Sequence, residues 1–154
     1  MNETPWMLWL LRYEGQHELA GDQDNPFIMS LYKYGHYQAT HDEVPWCACC
    51  ANAALEINGF IGTGRADALS FATCGDASEL KYGAIIVIQH PKGGHHVTFF
   101  SKWVDQSKGL IELLGGNQSD ALKKSVFNVS GNKLGHDEII ATRWPRPKVN
   151  LTPA

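Results

Sequence analysis

Three of the four cysteines fall between Cys47 and Cys50, at the start of an alanine-rich segment. Pro45 before this segment and Gly59 after it predict a helix with Cys47 in its first turn. A thiol in that position lies among unsatisfied N–H groups, at the positive end of the helix dipole. These features favour the thiolate, and the same N–H groups are able to receive an oxyanion. Cys47 is therefore the candidate nucleophile.

Two other roles for the cysteines stay open. A free cysteine is most often a small core residue, and all four fit that role. Zinc ligation with His95 or His96 is the second alternative, but a helix directs only Cys47 and Cys50 to one face. We therefore expect no metal and no cofactor. Cysteines this close along the chain are also poorly placed to form disulfides with one another.

A pair of histidines, His95 and His96, stands where a glycine-rich turn runs into the strand-like sequence HHVTFF. A general base needs a rigid attachment and an open approach, and the first residue of a strand offers both. Alternation places the two side chains on opposite faces, so the pattern alone does not choose between them. The next strand ends in LGGNQ, residues 114–118, where an amide is able to accept the imidazole N–H and fix its tautomer. A simple turn is the other interpretation of this segment.

The elements that must position these residues change in type halfway along the chain. Apolar spacing and capping signals predict helices at 5–14, 27–34, 47–57 and 65–74. Apolar runs and alternation predict strands at 84–88, 96–103, 109–114, 125–129 and 138–144. Helices followed by strands indicate an α+β fold, with N-terminal helices packed on an antiparallel sheet of about five strands. We expect a single catalytic domain over residues 1–146 and an irregular tail over 147–154.

Composition restricts the partners. The chain has 154 residues, 44% of them hydrophobic, and a net charge of −3, as in one globular domain that we expect to be monomeric. A net negative charge argues against nucleic acid, and no apolar run approaches the roughly 18 residues of a membrane helix. Met1 to Leu11 lacks the basic start of a secretory signal, which predicts cytoplasmic synthesis without a signal peptide.

Several motifs, taken in order, resemble one family. They are DEVPWC at 42–47, GFIGTGR at 59–65, GHHV at 94–97, LGGNQ at 114–118 and RWP at 143–145. This order is similar to a short family of phage and bacterial cell-wall hydrolases, related to the CHAP (cysteine, histidine-dependent amidohydrolase/peptidase) and NlpC-type peptidases. The resemblance covers nearly the whole chain and implies a papain-like fold, with the nucleophile on a helix packed against an antiparallel sheet.

The resemblance also implies site residues. Its cysteine, histidine and polar residue fall on Cys47, His96 and Asn117, and His96 is chosen over His95 because the histidine of the family directly precedes a valine. CHAP enzymes often carry a glutamate two residues before the asparagine, where this chain has Gly115, so Asn117 is expected to orient the imidazole alone. The residues expected to contact the substrate are Trp46, Trp103 and Gln118.

Together these expectations describe an enzyme that cuts an amide bond of peptidoglycan through an acyl-enzyme. The protein would reach the wall after release or secretion, as a phage endolysin or as a secreted antibacterial amidase. Two alternatives stay open, a non-catalytic domain that binds wall peptides and a zinc-stabilised domain.

Overall fold

The computed structural model describes residues 4–149 and has an α+β architecture. The α-helices are α1 (Pro5–Arg12), α2 (Pro26–Leu31) and α3 (Cys47–Ile57). The strands are β1 (Asp76–Ala77), β2 (Ile85–Gln89), β3 (His95–Asp105), β4 (Leu110–Gln118), β5 (Ala121–Asn128) and β6 (Glu138–Trp144). They form one antiparallel sheet in the order β1-β6-β2-β3-β4-β5. The predicted α+β class is confirmed, with a short sixth strand in addition to the five expected.

The helices are shorter than their sequence patterns predict. Asn25 caps α2 as expected, because its Oδ1 accepts from the N–H groups of Phe27 and Ile28. The predicted 27–34 helix, however, tightens into a 3₁₀ turn after Leu31, and the predicted 65–74 helix is a 3₁₀ turn over Ala68–Thr73. Apolar spacing does not separate a short 3₁₀ turn from one turn of α-helix, so the sequence over-extends both elements.

Backbone pairing also fixes the segment after α1 and the segment after β6. Gly15 donates its N–H to Leu122 O at 2.8 Å, so the chain has left α1 to run beside β5 before residue 15. After β6, Lys148 donates to Gly59 O at 2.9 Å and Pro147 bridges to Phe60. The described part of the predicted tail, 147–149, therefore pairs with the segment after α3, while 150–154 lie outside the described residues.

The sheet carries an apolar cluster on each face. On one face, Val97 and Phe99 of β3 belong to the large cluster that includes α1 and α3. On the other, Phe100 packs with Ile86 and Leu113. No helix within residues 4–149 is both long and apolar enough to cross a membrane.

Close approach of α3 to β4 depends on a glycine. A Cβ on Gly116 would lie 2.7 Å from Cys50 Cβ and 2.7 Å from the Trp46 ring, closer than real Cβ contacts allow. The first turn of α3 therefore lies directly on the backbone of β4, at the end of the strand that carries the predicted LGGNQ motif.

Candidate active site

The candidate nucleophile is the first residue of α3. Trp46 is the N-cap and its side chain makes no capping bond, and the first α-helical bond of this turn runs from Cys50 N–H to Trp46 O. The helix thus begins at Cys47, two residues after Pro45, as predicted. The N–H groups of Cys47 and Ala48 are directed at the Cys47 sulfur. This is the set of donors that the sequence predicts for an oxyanion.

The Cys47 sulfur also meets the backbone N–H of Val97. Phe100 N–H bonds to Ala84 O, toward β2, so alternation turns the Val97 N–H toward β4. Pairing of β3 with β4 starts only at Phe99 and Leu114, which leaves an opening beside Val97. The sulfur therefore lies near the backbone of β3 at Val97, the residue that follows His96.

Burial sets the resting state of the thiol. It raises the pKa of Cys47 despite the three N–H groups around the sulfur, which lower it. The expected thiolate is therefore not the favoured resting form, because desolvation outweighs the helix N-terminus here. All four cysteines are free, and the other three are buried in the core, where burial raises the pKa of Cys49 to about 11. Only Cys47 is partly exposed.

His96 is buried on the face of β3 opposite α3. Its Nε2 lies 3.1 Å from Gln118 Oε1, and its ring stacks on Phe127 with the centroids 5.8 Å apart. Burial lowers the pKa of His96, partly offset by the contact with Gln118. The imidazole is therefore neutral near pH 7. His95 is exposed and, by alternation, points from the other face.

The orientation of the Gln118 amide fixes the tautomer of His96. Gln118 Nε2 donates to two backbone carbonyls, Leu113 O at 3.0 Å and Lys123 O at 2.8 Å. Its oxygen must therefore face the other way, where it accepts from Thr98 Oγ1 at 2.7 Å. Because that oxygen only accepts, the proton of neutral His96 sits on Nε2 and the lone pair is on Nδ1. The basic nitrogen of His96 thus points away from Gln118.

Three sequence-predicted residues have other positions than expected. Asn117 makes no hydrogen bond to His96 among the described residues, and the contact expected of it belongs to Gln118. Trp46 is fully buried and donates from Nε1 to Glu18 at 3.0 Å, so it does not line a groove. Trp103 packs on Phe100, seven residues or roughly 23 Å along β3 from His96.

An open cleft of about 300 Å³ borders His96. Apart from His96, it is lined by His90, Asn117, Gln118, Ser119, Ser125, Val126 and Phe127. Cys47 is not among these residues, and within residues 4–149 no hydrogen bond joins its sulfur to His96. The structure therefore brings both groups to the same end of β3 without direct contact.

Sequence reasoning missed Thr98, Ser125 and the pair of His90 with Asp137. Alternation along β3 places Thr98 on the same face as His96, and this was the one signal in the sequence that Thr98 could share a hydrogen-bond partner with it. His90 and Asp137 are 47 residues apart, and no sequence pattern joins them. No group of three metal-ligating side chains occurs in the described part of the chain. Comparison with protein-family models, with curated proteins and with solved structures finds no match to this chain.

Proposed function

We propose that this chain is a cysteine-dependent hydrolase with a papain-like fold, which cleaves an amide bond of peptidoglycan. The observation that carries the proposal is the locked Gln118 amide, which leaves the lone pair of neutral His96 on Nδ1. That is the protonation state a general base needs at neutral pH. The order of sequence motifs supports a cell-wall amide as the substrate.

The reaction starts from a neutral pair. Nδ1 of His96 takes the Cys47 proton as the sulfur attacks the amide carbonyl, and the N–H groups of Cys47 and Ala48 receive the oxyanion. His96 then returns that proton to the leaving amine, which leaves a thioester on Cys47. Water, deprotonated by His96, hydrolyses the thioester and regenerates the thiol. The first step requires Nδ1 to approach the sulfur when substrate binds, and catalytic hydrogen bonds are often long in unliganded sites.

The direct test is digestion of purified peptidoglycan, with the released fragments identified by mass spectrometry. Cys47→Ala should lower the rate at least about a thousandfold, because removal of a nucleophile leaves only residual catalysis. Its melting temperature should stay close to that of the wild type, since the change removes a single sulfur atom from a residue that is not fully buried. Cys49→Ala, a matched change two positions away in the buried core, should lower stability and retain the rate. Lysis by Cys47→Ala at the wild-type rate would rule out the mechanism.

A non-catalytic wall-binding domain is the second candidate. The raised pKa of Cys47 and the lack of a direct bond between its sulfur and His96 in residues 4–149 favour it. This candidate expects sedimentation of the protein with peptidoglycan and release of no peptide or amine. The same digestion therefore separates the two, and the fragments also identify the bond that is cut. Where the protein acts, after release or secretion, and its monomeric state remain parts of the proposal.

A further inference from the structure

A second histidine, His90, lines the same cleft as His96 and is held by a carboxylate. His90 follows β2 directly and Asp137 precedes β6, so the pair extends the register that joins Gln89 to Glu138. His90 Nδ1 lies 2.8 Å from Asp137 Oδ1. Its backbone N–H bonds to Gly94 O at 3.0 Å, which anchors the turn that carries it. The mechanism proposed above uses neither side chain.

The contact with Asp137 decides what His90 presents to the cleft. A carboxylate only accepts hydrogen bonds, so Nδ1 of His90 is the donor and the lone pair of the neutral ring is on Nε2. Nε2 is therefore an acceptor, backed by the negative charge of Asp137. A charged N–H donor gains most from such a group, since charge-assisted hydrogen bonds are roughly twice as strong as neutral ones.

A second acceptor in the cleft has no partner. Among the described residues, Ser125 Oγ is buried and makes no hydrogen bond, although Ser125 itself lines the cleft, so its hydroxyl reaches a ligand there when the side chain rotates. A buried hydroxyl without a partner costs free energy that a bound polar group would recover. An ammonium carries three N–H donors and is able to bond with several acceptors at once. Lys123 lies on the same face of β5 as Ser125 but does not line the cleft.

From this arrangement we propose that the cleft is a specificity subsite for a primary ammonium group of the substrate, bound by His90 Nε2 and Ser125 Oγ. The proposal rests on the proposed function for the identity of the substrate, a wall peptide whose diamino acid carries a free side-chain amine. Asp137 acts through His90 and is a positioning residue. The subsite thus selects substrate, whereas Cys47 and His96 perform the reaction.

The test measures binding rather than turnover. Two stem peptides, one with a free lysine side-chain amine and one with that amine acetylated, are titrated by calorimetry into the Cys47→Ala protein. The free amine should bind about tenfold more tightly, as expected for one charge-assisted bond. In the Cys47→Ala background, His90→Phe should reduce this preference to within about twofold, and Asp137→Asn and Ser125→Ala should each reduce it in part.

His136→Gln supplies the matched control, because His136 is exposed, adjoins Asp137 and does not line the cleft. It should keep the full preference. Equal affinity for both peptides, no binding of either, or a preference that survives His90→Phe would overturn the subsite. A preference that is present while the wild-type protein releases nothing from peptidoglycan would refute the hydrolase and leave the subsite standing.

Discussion

The two faces of β3 bury different chemistry within a few residues of each other. Val97 and Phe99 point into the large apolar cluster beneath α3. His96 and Thr98 point the other way, into a buried polar network centred on Gln118. Apolar packing would stabilise the second face equally well, and a buried network is favourable only when its members are satisfied. The difference indicates that, at this end of β3, one face only stabilises the fold and the other also fixes the chemical state of an imidazole.

The largest effect that tests this comparison comes from Gln118. Gln118→Leu removes the acceptor that fixes the His96 tautomer and leaves Thr98 Oγ1 without its partner. We expect kcat on wall peptide to fall about a hundredfold or more, the range for loss of a correctly held general base. Unfolding in urea should show a loss of about 1–3 kcal/mol from the buried groups left unpaired.

Leu114→Ala is the matched change on the apolar face of the same strand, since Leu114 is buried in the large cluster. It should cost about 2–5 kcal/mol of stability by opening a cavity. The kcat of the folded fraction should change only a few-fold. If Leu114→Ala lowers kcat as far as Gln118→Leu does, the two faces are not separate in function.

Two adjacent glycines allow the faces to be perturbed one at a time. A Cβ on Gly115 would lie 2.5 Å from Thr98 Oγ1 and 3.1 Å from Gln118 Oε1, whereas one on Gly116 would press on Cys50 and Trp46. Each alanine substitution should cost about 1–3 kcal/mol through overpacking. Gly115→Ala should move the imidazole signals of His96 in NMR, and Gly116→Ala should change the alkylation rate of Cys47. A variant that alters both readouts alike would show that a change at one face of β4 is transmitted to both His96 and Cys47.

The sequence predicts the fold class, whereas the residue that it predicts to orient His96 differs from the one that contacts His96 in the structure. Period-two alternation along β4 puts Leu113, Gly115 and Asn117 on the His96 face, which makes Asn117 the natural orienter. In the structure, Asn117 has a φ of 58° and the register shifts between Gly115 and Gln118. The bulge turns the Gln118 side chain to the His96 face, where regular alternation would place Asn117. No local pattern signals such a bulge, because Gly-Gly-Asn is equally typical of a turn.

The thiolate expectation fails for a related reason. A helix start is visible in the sequence around Cys47, and so is its favourable dipole. The depth at which the first turn lies on the sheet depends on tertiary packing, in which Gly116 allows α3 to approach β4. That burial raises the pKa of Cys47. Desolvation is a property of the assembled fold, so it cannot be inferred from the segment that contains the cysteine.

The pH dependence of stability gives a smaller effect that also separates the faces. Burial lowers the pKa of His96 below its ordinary value of about 6.5. Between these two pKa values the unfolded chain binds the proton and the folded chain does not, so the free energy of unfolding falls as the pH drops below about 6.5. His96→Gln should remove this part of the slope in urea titrations between about pH 5 and 7.5. His95→Gln, an exposed neighbour, should keep it, and an unchanged slope in His96→Gln would mean that the pKa of the ring is the same in the folded and unfolded chain.

The smallest expected effect concerns Thr98, whose hydroxyl donates to Gln118 Oε1 at 2.7 Å. Thr98→Val keeps the shape and removes one donor, while the carbonyls of Leu113 and Lys123 still hold the other end of the amide. We expect a loss of about 1 kcal/mol in urea unfolding and a few-fold change in kcat, because the amide oxygen keeps His96 as a partner.

Ser101→Ala provides the control for this change, since Ser101 on the same strand donates to Glu112 at 2.7 Å, outside the cleft. It should leave kcat unchanged. A fall in kcat for Thr98→Val as large as that for Gln118→Leu would mean that the hydroxyl, rather than the two carbonyls, sets the direction of the amide. The tautomer of His96 would then depend on Thr98, a side chain of the same strand, and not on the backbone carbonyls of β4 and β5.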